Sequence, residues 1–382
     1  MEKKRTSGIQ FLIIFAIIIL IIVAVFAAVL NYVPIEDIFK TEPAIKTNVK
    51  KEVTVTDEGI ADAVEKLYDA TVIVKVGNNN QITGWGSGFV YKDNNKDAYI
   101  LTNHHVVDGS NTITIEMSDG STTTGSLVGS DEFADVAVIK VASNTVLSVA
   151  EIGESESLRV GDTVFAVGTP VSLDYSFTVT RGILSGKDRL VERSNSSSDF
   201  GSFFNRNTAT ETWYMKLLQI DASINSGNSG GPLANCNGEV VGINNSKISS
   251  SYSSTSIENI GFAIPIEDAL EVAENIEKGK NTTSTKPTLG VTMTTIEGAS
   301  QNNIKVDEGV KTGAVIVSVV EKSNADNAGL KAGDVITKYN DIEIKDYRYL
   351  KYYLYKSSVG DKVKITYIRD GKEHTTDVTL KG

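Results

Sequence analysis

Short strand-like segments separated by turns constrain the fold of this 382-residue chain more than any other feature. They are rich in β-branched and aromatic residues, which favour strands, and many short strands with turns between them indicate a β-barrel or sandwich. These segments lie at 71–76, 88–92, 99–102, 112–117, 136–141, 163–167 and 240–243. Segments 57–67 and 265–278 instead have apolar residues at helical spacing. We therefore expect a mostly β domain at residues 58–280.

A serine framed by glycines is the main candidate for chemistry. Ser229 lies in the run 225–233, Asn-Ser-Gly-Asn-Ser-Gly-Gly-Pro-Leu. Glycines adopt backbone conformations that a Cβ would forbid, so consecutive N–H groups can converge on one developing oxyanion. A surface turn rich in serine and glycine has the same composition, and the run alone does not separate the two possibilities.

Histidine is scarce, which narrows the search for a general base. The chain has His104, His105 and His374, and the first two follow the strand-like residues 98–102. Asp135 directly precedes another strand-like segment. A serine hydroxyl needs an imidazole to remove its proton, and the imidazole needs a carboxylate to fix its tautomer. Histidine, aspartate and serine thus occur in that order along the chain.

An esterase or lipase of the α/β-hydrolase class is the competing enzyme interpretation. Residues 227–231 satisfy its G-x-S-x-G pattern. That pattern requires a helix after the serine and an acid and a histidine downstream. Here a turn and the strand-like residues 239–243 follow, and the downstream histidine, His374, lies near the C-terminus. The sequence therefore disfavours an α/β-hydrolase.

Six sequence blocks together resemble the HtrA/Deg family of serine proteases, in its DegS-like layout. The blocks lie at 84–90, 101–107, 135–138, 167–170, 225–233 and 260–265. With the C-terminal segment, the resemblance covers about residues 59–382. It implies a membrane anchor, a two-barrel trypsin-like protease domain and one C-terminal PDZ domain. Within the family's T-N-x-H-V-V pattern, the catalytic histidine corresponds to His105 rather than His104.

The resemblance implies acyl transfer from a peptide bond to water. Ser229 would attack, His105 would act as base and then acid, and Asp135 would orient His105. The backbone N–H groups of Gly227 and Ser229 would form the oxyanion hole. Neither a metal nor a cofactor is expected.

Two departures from digestive trypsin-like enzymes affect activation and specificity. Asn228 replaces the aspartate that pairs with a new N-terminal ammonium, so activation by prosegment cleavage is not expected. Ser223 replaces the acidic floor of the primary pocket, so preference for Arg or Lys is not expected. By family analogy, Ile224 and Asn244 would line a pocket for small or medium apolar side chains.

Residues 186–216 form a long irregular segment on sequence criteria. Such a segment in a compact domain is usually functional or disordered. In the family this position corresponds to a regulatory loop that senses the PDZ domain, and a plain insertion is the alternative. We hypothesise that Arg181 or Arg189, near the entry of the loop, helps to order the oxyanion loop when an activator binds.

The C-terminal segment resembles a PDZ domain at 287–382, after a polar linker at 281–286. Further PDZ-like blocks lie at 313–317, 325–336 and 360–363. The peptide-carboxylate loop corresponds to Thr288, Leu289, Gly290 and Val291. Its N–H groups would hold the C-terminus of a peptide that adds a strand to the sheet. Most tyrosines of a predicted helix at 346–356 are expected to pack, with Tyr349 or Tyr353 as candidates to face the peptide.

The N-terminus predicts a membrane anchor. Residues 11–30 are uncharged and mostly apolar, they follow a basic cluster, and they are long enough to span about 30 Å as a helix. We expect a cytoplasmic segment at 1–8, an uncleaved transmembrane signal anchor at 9–30 and a linker at 31–57, with the protease and PDZ domains outside. Small residues at 24–28 leave processing as an alternative.

Composition agrees with an extracytoplasmic enzyme. The net charge is −11, which gives no basic face for nucleic acid, and the lone Cys236 excludes an intramolecular disulfide. The predicted function is a membrane-tethered endopeptidase of protein quality control or envelope stress signalling, acting on unfolded or specific envelope proteins and regulated by peptides at the PDZ domain. The resemblance also implies a homotrimer. A PDZ-based peptide-binding chaperone or sensor with little turnover is the alternative.

Overall fold

The computed structural model describes residues 13, 15–21, 23–24, 57–79, 81–194, 212–246, 259–279 and 286–382. The chain divides into two compact units, Met1–Thr54 and Val55–Gly382. The described residues of the first unit are helical. No helix among the described residues is long and apolar enough to cross a membrane. The predicted anchor at 9–30 lies partly outside these residues, as do the linkers 31–57 and 281–286 except for their last residues.

The first barrel follows helix α1 (Asp57–Tyr68) and is closed. Its strands are β1 (Thr71–Asn78), β2 (Gln81–Asp93), β3 (Asp97–Thr102), β4 (Thr112–Glu116), β5 (Thr122–Asp131) and β6 (Val136–Ala142). Hydrogen bonds join neighbouring strands in the order β1-β2-β3-β6-β5-β4. Alternate valines of β1, at 72, 74 and 76, enter the barrel core, as the two-residue period of a strand requires. One short helix, α2 (His104–Val107), follows β3.

The second barrel is also closed, in the order β10-β11-β12-β9-β8-β7. Its strands are β7 (Thr163–Gly168), β8 (Thr178–Ser194), β9 (Thr212–Ile220), β10 (Pro232–Asn235), β11 (Val240–Asn244) and β12 (Gly261–Pro265). Alternate residues of β7, Val164 and Ala166, pack in its core. Short 3-10 turns occur at Ser143–Thr145, Ser155–Ser157 and Leu173–Tyr175. The two barrels confirm the predicted two-barrel fold.

Much of the segment predicted to be irregular, 186–216, is regular structure. β8 and β9 pair from Leu184 and Ile220 outward to Ser194 and Thr212. The register of β8 shifts between Gly186 and Arg189, and Lys187, Asp188 and Arg189 are partly or fully exposed there. Polar residues at this irregularity interrupt the apolar pattern of the strand, so the sequence did not reveal the ribbon. Residues 195–211, between the two strands, lie outside the described part of the chain.

One apolar core joins the two barrels. It contains Phe89 and Leu101 from the first barrel and Phe165 and Val167 from the second. Helix α3 (Ile266–Glu277) adds one face, as its helical spacing predicts, with Ile266, Ala269, Ala273 and Ile276 all buried. This shared core fixes the relative position of the barrels and of the loops between them.

The C-terminal module is a separate sheet with its own core. Its elements are β13 (Val291–Thr294), a 3-10 turn (Ser300–Asn302), β14 (Ala314–Val319), α4 (Asn324–Asn327), β15 (Val335–Tyr339), β16 (Ile342–Glu343), α5 (Tyr347–Lys356), β17 (Lys362–Arg369) and β18 (Lys372–Thr379). The strand order is β13-β14-β15-β17-β18, with β16 on β15. β13 therefore forms an edge of this sheet among the described strands.

Helix α5 connects this module to the protease domain through its tyrosines. Tyr352 donates a hydrogen bond from its hydroxyl to Asp268 of α3, at 2.7 Å. The ring of Tyr355 lies 5.1 Å from that of Phe133. In contrast, Tyr349 and Tyr353 are half-buried and pack against the core of their own module. The predicted packing role of the tyrosines thus includes docking between domains.

Candidate active site

The candidate catalytic residues come from three loops where the barrels meet. His105 lies on α2, directly after β3. Asp135 lies in the turn between β5 and β6, and Ser229 lies in the loop before β10. Asp135 and Ser229 are almost fully buried, and the side chain of His105 is 18% exposed. The histidine is therefore the most accessible of the three.

Both carboxylate oxygens of Asp135 are within hydrogen-bonding distance of the imidazole of His105. Nδ1 of His105 lies 2.8 Å from Oδ2 of Asp135 and 3.0 Å from Oδ1. The backbone N–H of His105 also donates to Oδ1 of Asp135. A carboxylate that engages Nδ1 leaves Nε2 as the nitrogen able to accept a proton.

Asn103 and Asn245 hold the aspartate from two further directions. Nδ2 of Asn245 donates to Oδ2 of Asp135 at 2.6 Å, and Nδ2 of Asn103 donates to the backbone carbonyl of Asp135 at 2.8 Å. Burial would raise the pKa of Asp135, but the charge of His105 and the hydrogen bonds from His105 and Asn245 outweigh it and lower that pKa. The carboxylate is thus kept ionised in a buried place.

Ser229 is hydrogen-bonded to a second serine, Ser246. Its Oγ lies 2.6 Å from Oγ of Ser246 and accepts from the N–H of Ser246 at 3.1 Å. In the described part of the chain, its side chain makes no hydrogen bond to His105. Oγ of Ser229 must therefore come within hydrogen-bonding distance of His105 before the imidazole can accept its proton.

The backbone before Ser229 needs glycine at 227. Gly227 has φ +102°, and a Cβ there would lie 2.0 Å from the carbonyl oxygen of Thr169. The carbonyl of Ser226 accepts from the N–H of Val171 at 2.7 Å. Since a trans peptide points its C=O and N–H in opposite directions, the N–H of Gly227 is directed away from Val171. Within the described ranges, neither Gly227 nor Ser229 donates its backbone N–H to a protein acceptor.

Val171 adopts an unusual conformation to make this bond. Its φ is +65°, which is rare for a β-branched residue, and it is 67% exposed. Such strain costs on the order of 1–3 kcal/mol and clusters at functional sites. The strained residue is the one that fixes the peptide before Gly227.

Ser87 of β2 ties the serine loop to the first barrel. Its N–H donates to the carbonyl of Ser229, and its Oγ donates to the carbonyl of Gly227 at 2.7 Å. Oγ of Ser87 also accepts a hydrogen bond from the N–H of Thr169. One fully buried side chain thus joins three segments of the site.

The three residues suggested for a specificity pocket have different environments. Ser223 is exposed, and its carbonyl accepts from Thr180 at 3.0 Å. Ile224 packs against the core of the second barrel. Asn244 is fully buried, and its side chain donates to the carbonyl of Pro232. Their part in a pocket stays a prediction.

The candidate regulatory arginines lie on β8. Arg181 pairs with Phe165 of β7. Nε of Arg189 donates to Oε1 of Gln219 at 3.0 Å, on the ribbon. The structure brings neither residue into a described hydrogen bond with the loop of Gly227 and Ser229, so their regulatory role stays a prediction.

The candidate carboxylate loop precedes the edge strand β13. Gly290 has φ +72°, and a Cβ there would lie 2.3 Å from Cβ of Ser323. Thr288 is exposed and Leu289 is buried. In the described part of the chain, the N–H groups of Leu289 and Gly290 have no protein acceptor. Such free donors are what a peptide carboxylate requires.

Sequence reasoning did not identify four residues that complete the site: Ser87, Asn103, Asn245 and Ser246. Ser87 and Asn103 lie inside two of the six family blocks, which is a signal that could have found them. Asn245 and Ser246 directly follow Asn244, and spacing gives no sign that one donates to Asp135 and the other to Ser229.

Comparisons with known proteins agree with this architecture. The family model "Trypsin-like peptidase domain" matches residues 86–243, and the model "PDZ domain" matches residues 287–380. Serine protease Do-like HtrA of Lactococcus lactis subsp. lactis is 39% identical over 305 residues, which cover 78% of this chain and 71% of that protein. Serine protease Do-like HtrB of Bacillus subtilis is 36% identical, with 84% and 70% covered.

Solved structures show the same similarity. The HtrA-type protease AlgW with tripeptide is 30% identical with a TM-score of 0.64, covering 84% of this chain and 96% of that chain. The serine endoprotease of Yersinia pestis is 28% identical with a TM-score of 0.58, and 84% and 97% are covered. The chain therefore belongs to the HtrA (Do-like) family of serine proteases and is a trypsin-like serine endopeptidase with one C-terminal PDZ domain.

Proposed function

We propose that Ser229, His105 and Asp135 are the catalytic triad of this endopeptidase. The observation that carries the proposal is the double hydrogen bond from His105 Nδ1 to the buried carboxylate of Asp135, beside the loop of Ser229. Nε2 of His105 takes the proton of Ser229 as its oxygen attacks the peptide carbonyl, and then gives that proton to the leaving amine. Water repeats the sequence on the acyl-enzyme.

The N–H groups of Gly227 and Ser229 bind the oxyanion in this proposal. Their lack of a protein acceptor among the described residues supports it, as does the orientation that Val171 gives to the peptide before Gly227. Two such donors aimed at the developing charge are typical of acyl transfer, and losing one costs about 3 kcal/mol of transition-state stabilisation.

The bond between Ser229 and Ser246 describes a resting arrangement of the nucleophile. Substrate or an activating peptide shifts the hydroxyl toward His105, and the enzyme then turns over. Loss of one serine–serine hydrogen bond costs about 1 kcal/mol, which substrate binding readily supplies.

Substrates are unfolded or specific envelope proteins, and C-terminal peptides bind the PDZ domain and regulate cleavage. The bound tripeptide and decapeptide named with the AlgW structures support peptide binding here. The free N–H groups of Leu289 and Gly290 beside the edge strand β13 support the same site. An apolar preference at the cleavage site, with Ser223, Ile224 and Asn244 around the pocket, belongs to this proposal.

The chain is anchored in the cell membrane by residues 9–30, with its enzymatic part outside, and it forms a homotrimer. The apolar stretch 11–30 after a basic cluster supports the anchor, and the family resemblance supports the trimer. After an alkaline carbonate wash, the full chain should stay in the membrane pellet and a chain starting at residue 58 should not. Release of the full chain would contradict the anchor.

The direct test compares cleavage of fluorescein-labelled casein by the full chain and by Ser229→Ala. Removal of the nucleophile should lower turnover on the order of 10⁴-fold or more without unfolding the protein. Circular dichroism checks the fold. Equal cleavage by both proteins would refute the triad, and peptide binding without any casein cleavage by the wild type would favour a chaperone or sensor.

A further inference from the structure

The turn that carries Asp135 is organised by a second aspartate. We define the Asp135 turn as residues 131–135, between β5 and β6. Oδ1 of Asp131 accepts from the N–H groups of Phe133 and Ala134, at 2.8 and 3.0 Å. Asp131 is only 3% exposed, and Asp135 at the end of the turn has φ +53°. The carboxylate of Asp131 therefore sets the backbone that presents Asp135.

The other oxygen of Asp131 is bound by a lysine that belongs to the C-terminal half of the chain. Nζ of Lys286 lies 3.0 Å from Oδ2 of Asp131, and the lysine side chain is 13% exposed. Lys286 directly precedes the PDZ domain that matches residues 287–380. Removal of one partner from such a buried pair leaves an uncompensated charge, which is strongly unfavourable. The turn is thus tied to the start of the PDZ domain.

Phe133 gives the turn a second link to the PDZ domain. Nζ of Lys286 lies 5.2 Å from the centre of its ring, and the ring of Tyr355 of α5 lies 5.1 Å away. On the protease side, Trp213 packs edge-on against Phe133 at 5.1 Å and donates from Nε1 to its carbonyl at 3.0 Å. Side chains of both domains therefore clamp the turn.

The clamp lines a pocket between the two domains. A cavity of about 120 Å³ lies between the domains, and Asp131, Phe133, Lys286 and Tyr355 are among the residues that line it. The turn and the start of the PDZ domain thus form part of one pocket wall.

We propose that Lys286 and Asp131 are positioning residues for Asp135, so that their ion pair at the start of the PDZ domain sets the orientation of His105 through the Asp135 turn. The inference rests on the proposed triad. Asp135 holds both Nδ1 and the backbone N–H of His105, so a displacement of the turn moves the imidazole directly. Neither Lys286 nor Asp131 contacts the reacting atoms.

Lys356 provides a matched control at the same interface. Its Nζ lies 2.9 Å from Oδ1 of Asp268 and 2.6 Å from Oε2 of Glu271, both on α3. It makes no described hydrogen bond or ion pair with the Asp135 turn. Lys356→Ala therefore breaks an interdomain ion pair of similar kind without touching the turn.

The experiment measures kcat and KM for fluorescein-labelled casein with the full chain carrying Lys286→Ala, Lys286→Arg or Lys356→Ala. For Lys286→Ala, kcat should fall by roughly ten- to a hundred-fold, with KM within about twofold, because misplacement of a catalytic group affects the chemical step. Lys286→Arg should restore most of kcat, and Lys356→Ala should keep the wild-type value. Thermal unfolding sets an assay temperature at which each variant is folded.

Wild-type kcat in folded Lys286→Ala would overturn the inference, and so would equal losses in Lys286→Ala and Lys356→Ala. If Lys286→Ala does not fold, Asp131→Asn serves instead: it keeps an oxygen for the turn, weakens the ion pair and should lower kcat in the same way. Ser229→Ala in the same series separates the two claims, since casein cleavage that survives Ser229→Ala refutes the triad rather than the positioning role.

Discussion

At the scale of single residues, the most distinctive feature is the amide that supports Asp135. Asn245 donates to Oδ2 of Asp135 at 2.6 Å from a fully buried position. A hydrogen bond to a charged group is worth about 1.5–3 kcal/mol, and each 1.4 kcal/mol corresponds to about a factor of ten in rate. The amide therefore contributes to holding the carboxylate in the position that His105 needs.

Replacement of Asn245 by alanine should lower kcat by about tenfold. Asn245→Asp should lower it further, because a second carboxylate would face Asp135 where an amide donated. The surface variant Asn237→Ala serves as the control. Casein turnover within twofold of wild type in both Asn245 variants would show that the bond has no catalytic weight.

Asn245→Ala should also change the acid stability of the protein. The pKa of Asp135 is lowered in the folded state, so its ionised form stabilises the fold above the unfolded pKa of about 3.9, and this stability is lost as pH falls through the folded pKa. Without the Asn245 donor the folded pKa of Asp135 rises, so the ionised carboxylate stabilises the fold less and its contribution is exhausted at higher pH. Acid unfolding followed by circular dichroism should therefore shift to higher pH in this variant.

The sequence reveals a single residue when its type is rare in the chain or when its neighbours form a recognisable motif. His105 could be found because the chain has three histidines, and Ser229 because glycines surround it. Ser87 and Asn245 resemble many other polar residues of the chain. Their importance comes from burial and from bonds across 140 and 110 residues, respectively, which local patterns do not contain.

At the scale of elements, helix α5 buries apolar and aromatic side chains against two partners, the core of its own PDZ domain and the protease domain. Leu350 and Leu354 pack in the core of the PDZ domain, whereas Tyr352 and Tyr355 contact the protease domain. The sequence predicted packing for most of these tyrosines, but it could not separate a domain core from a domain interface, since both bury one side of a helix. The β8–β9 ribbon was missed for the reason given above.

The edge strand β13 leads to a prediction about peptide binding. A fluorescent decapeptide with an apolar C-terminal residue and a free carboxylate should bind the full chain. The same peptide with a C-terminal amide should bind at least about tenfold more weakly, because it loses the charge-assisted hydrogen bonds from the N–H groups of Leu289 and Gly290. Gly290→Ala should also lower the affinity for the peptide with a free carboxylate, since a Cβ at 290 would clash with Ser323. Fluorescence anisotropy measures each affinity.

One matched control variant completes the peptide experiment. Gly371→Ala changes a glycine of similar φ in an exposed hairpin of the same domain and should leave binding intact. Equal affinity for the carboxylate and amide forms would mean that the loop at 288–291 does not recognise a peptide C-terminus.

At the scale of the whole molecule, the candidate site is built from contacts between the two barrels and between the protease and PDZ domains. A shared core sets the two barrels against each other, and Ser87 links the serine loop of one to a strand of the other. The Asp135 turn in turn contacts the PDZ domain through Lys286 and Tyr355. The order of domains could be predicted from the sequence blocks, but the contacts between domains could not, because they join residues far apart in the chain.

The central claim is that Ser229 is a nucleophile activated by His105 and Asp135. The most direct measurement is covalent labelling of the full chain with an alkyl fluorophosphonate, in the presence of casein, followed by mass spectrometry of the modified peptide. One adduct is expected, on Ser229; it should be absent in Ser229→Ala and form much more slowly in His105→Ala. An adduct on another residue, or labelling of Ser229 at the same rate in His105→Ala, would contradict the central claim.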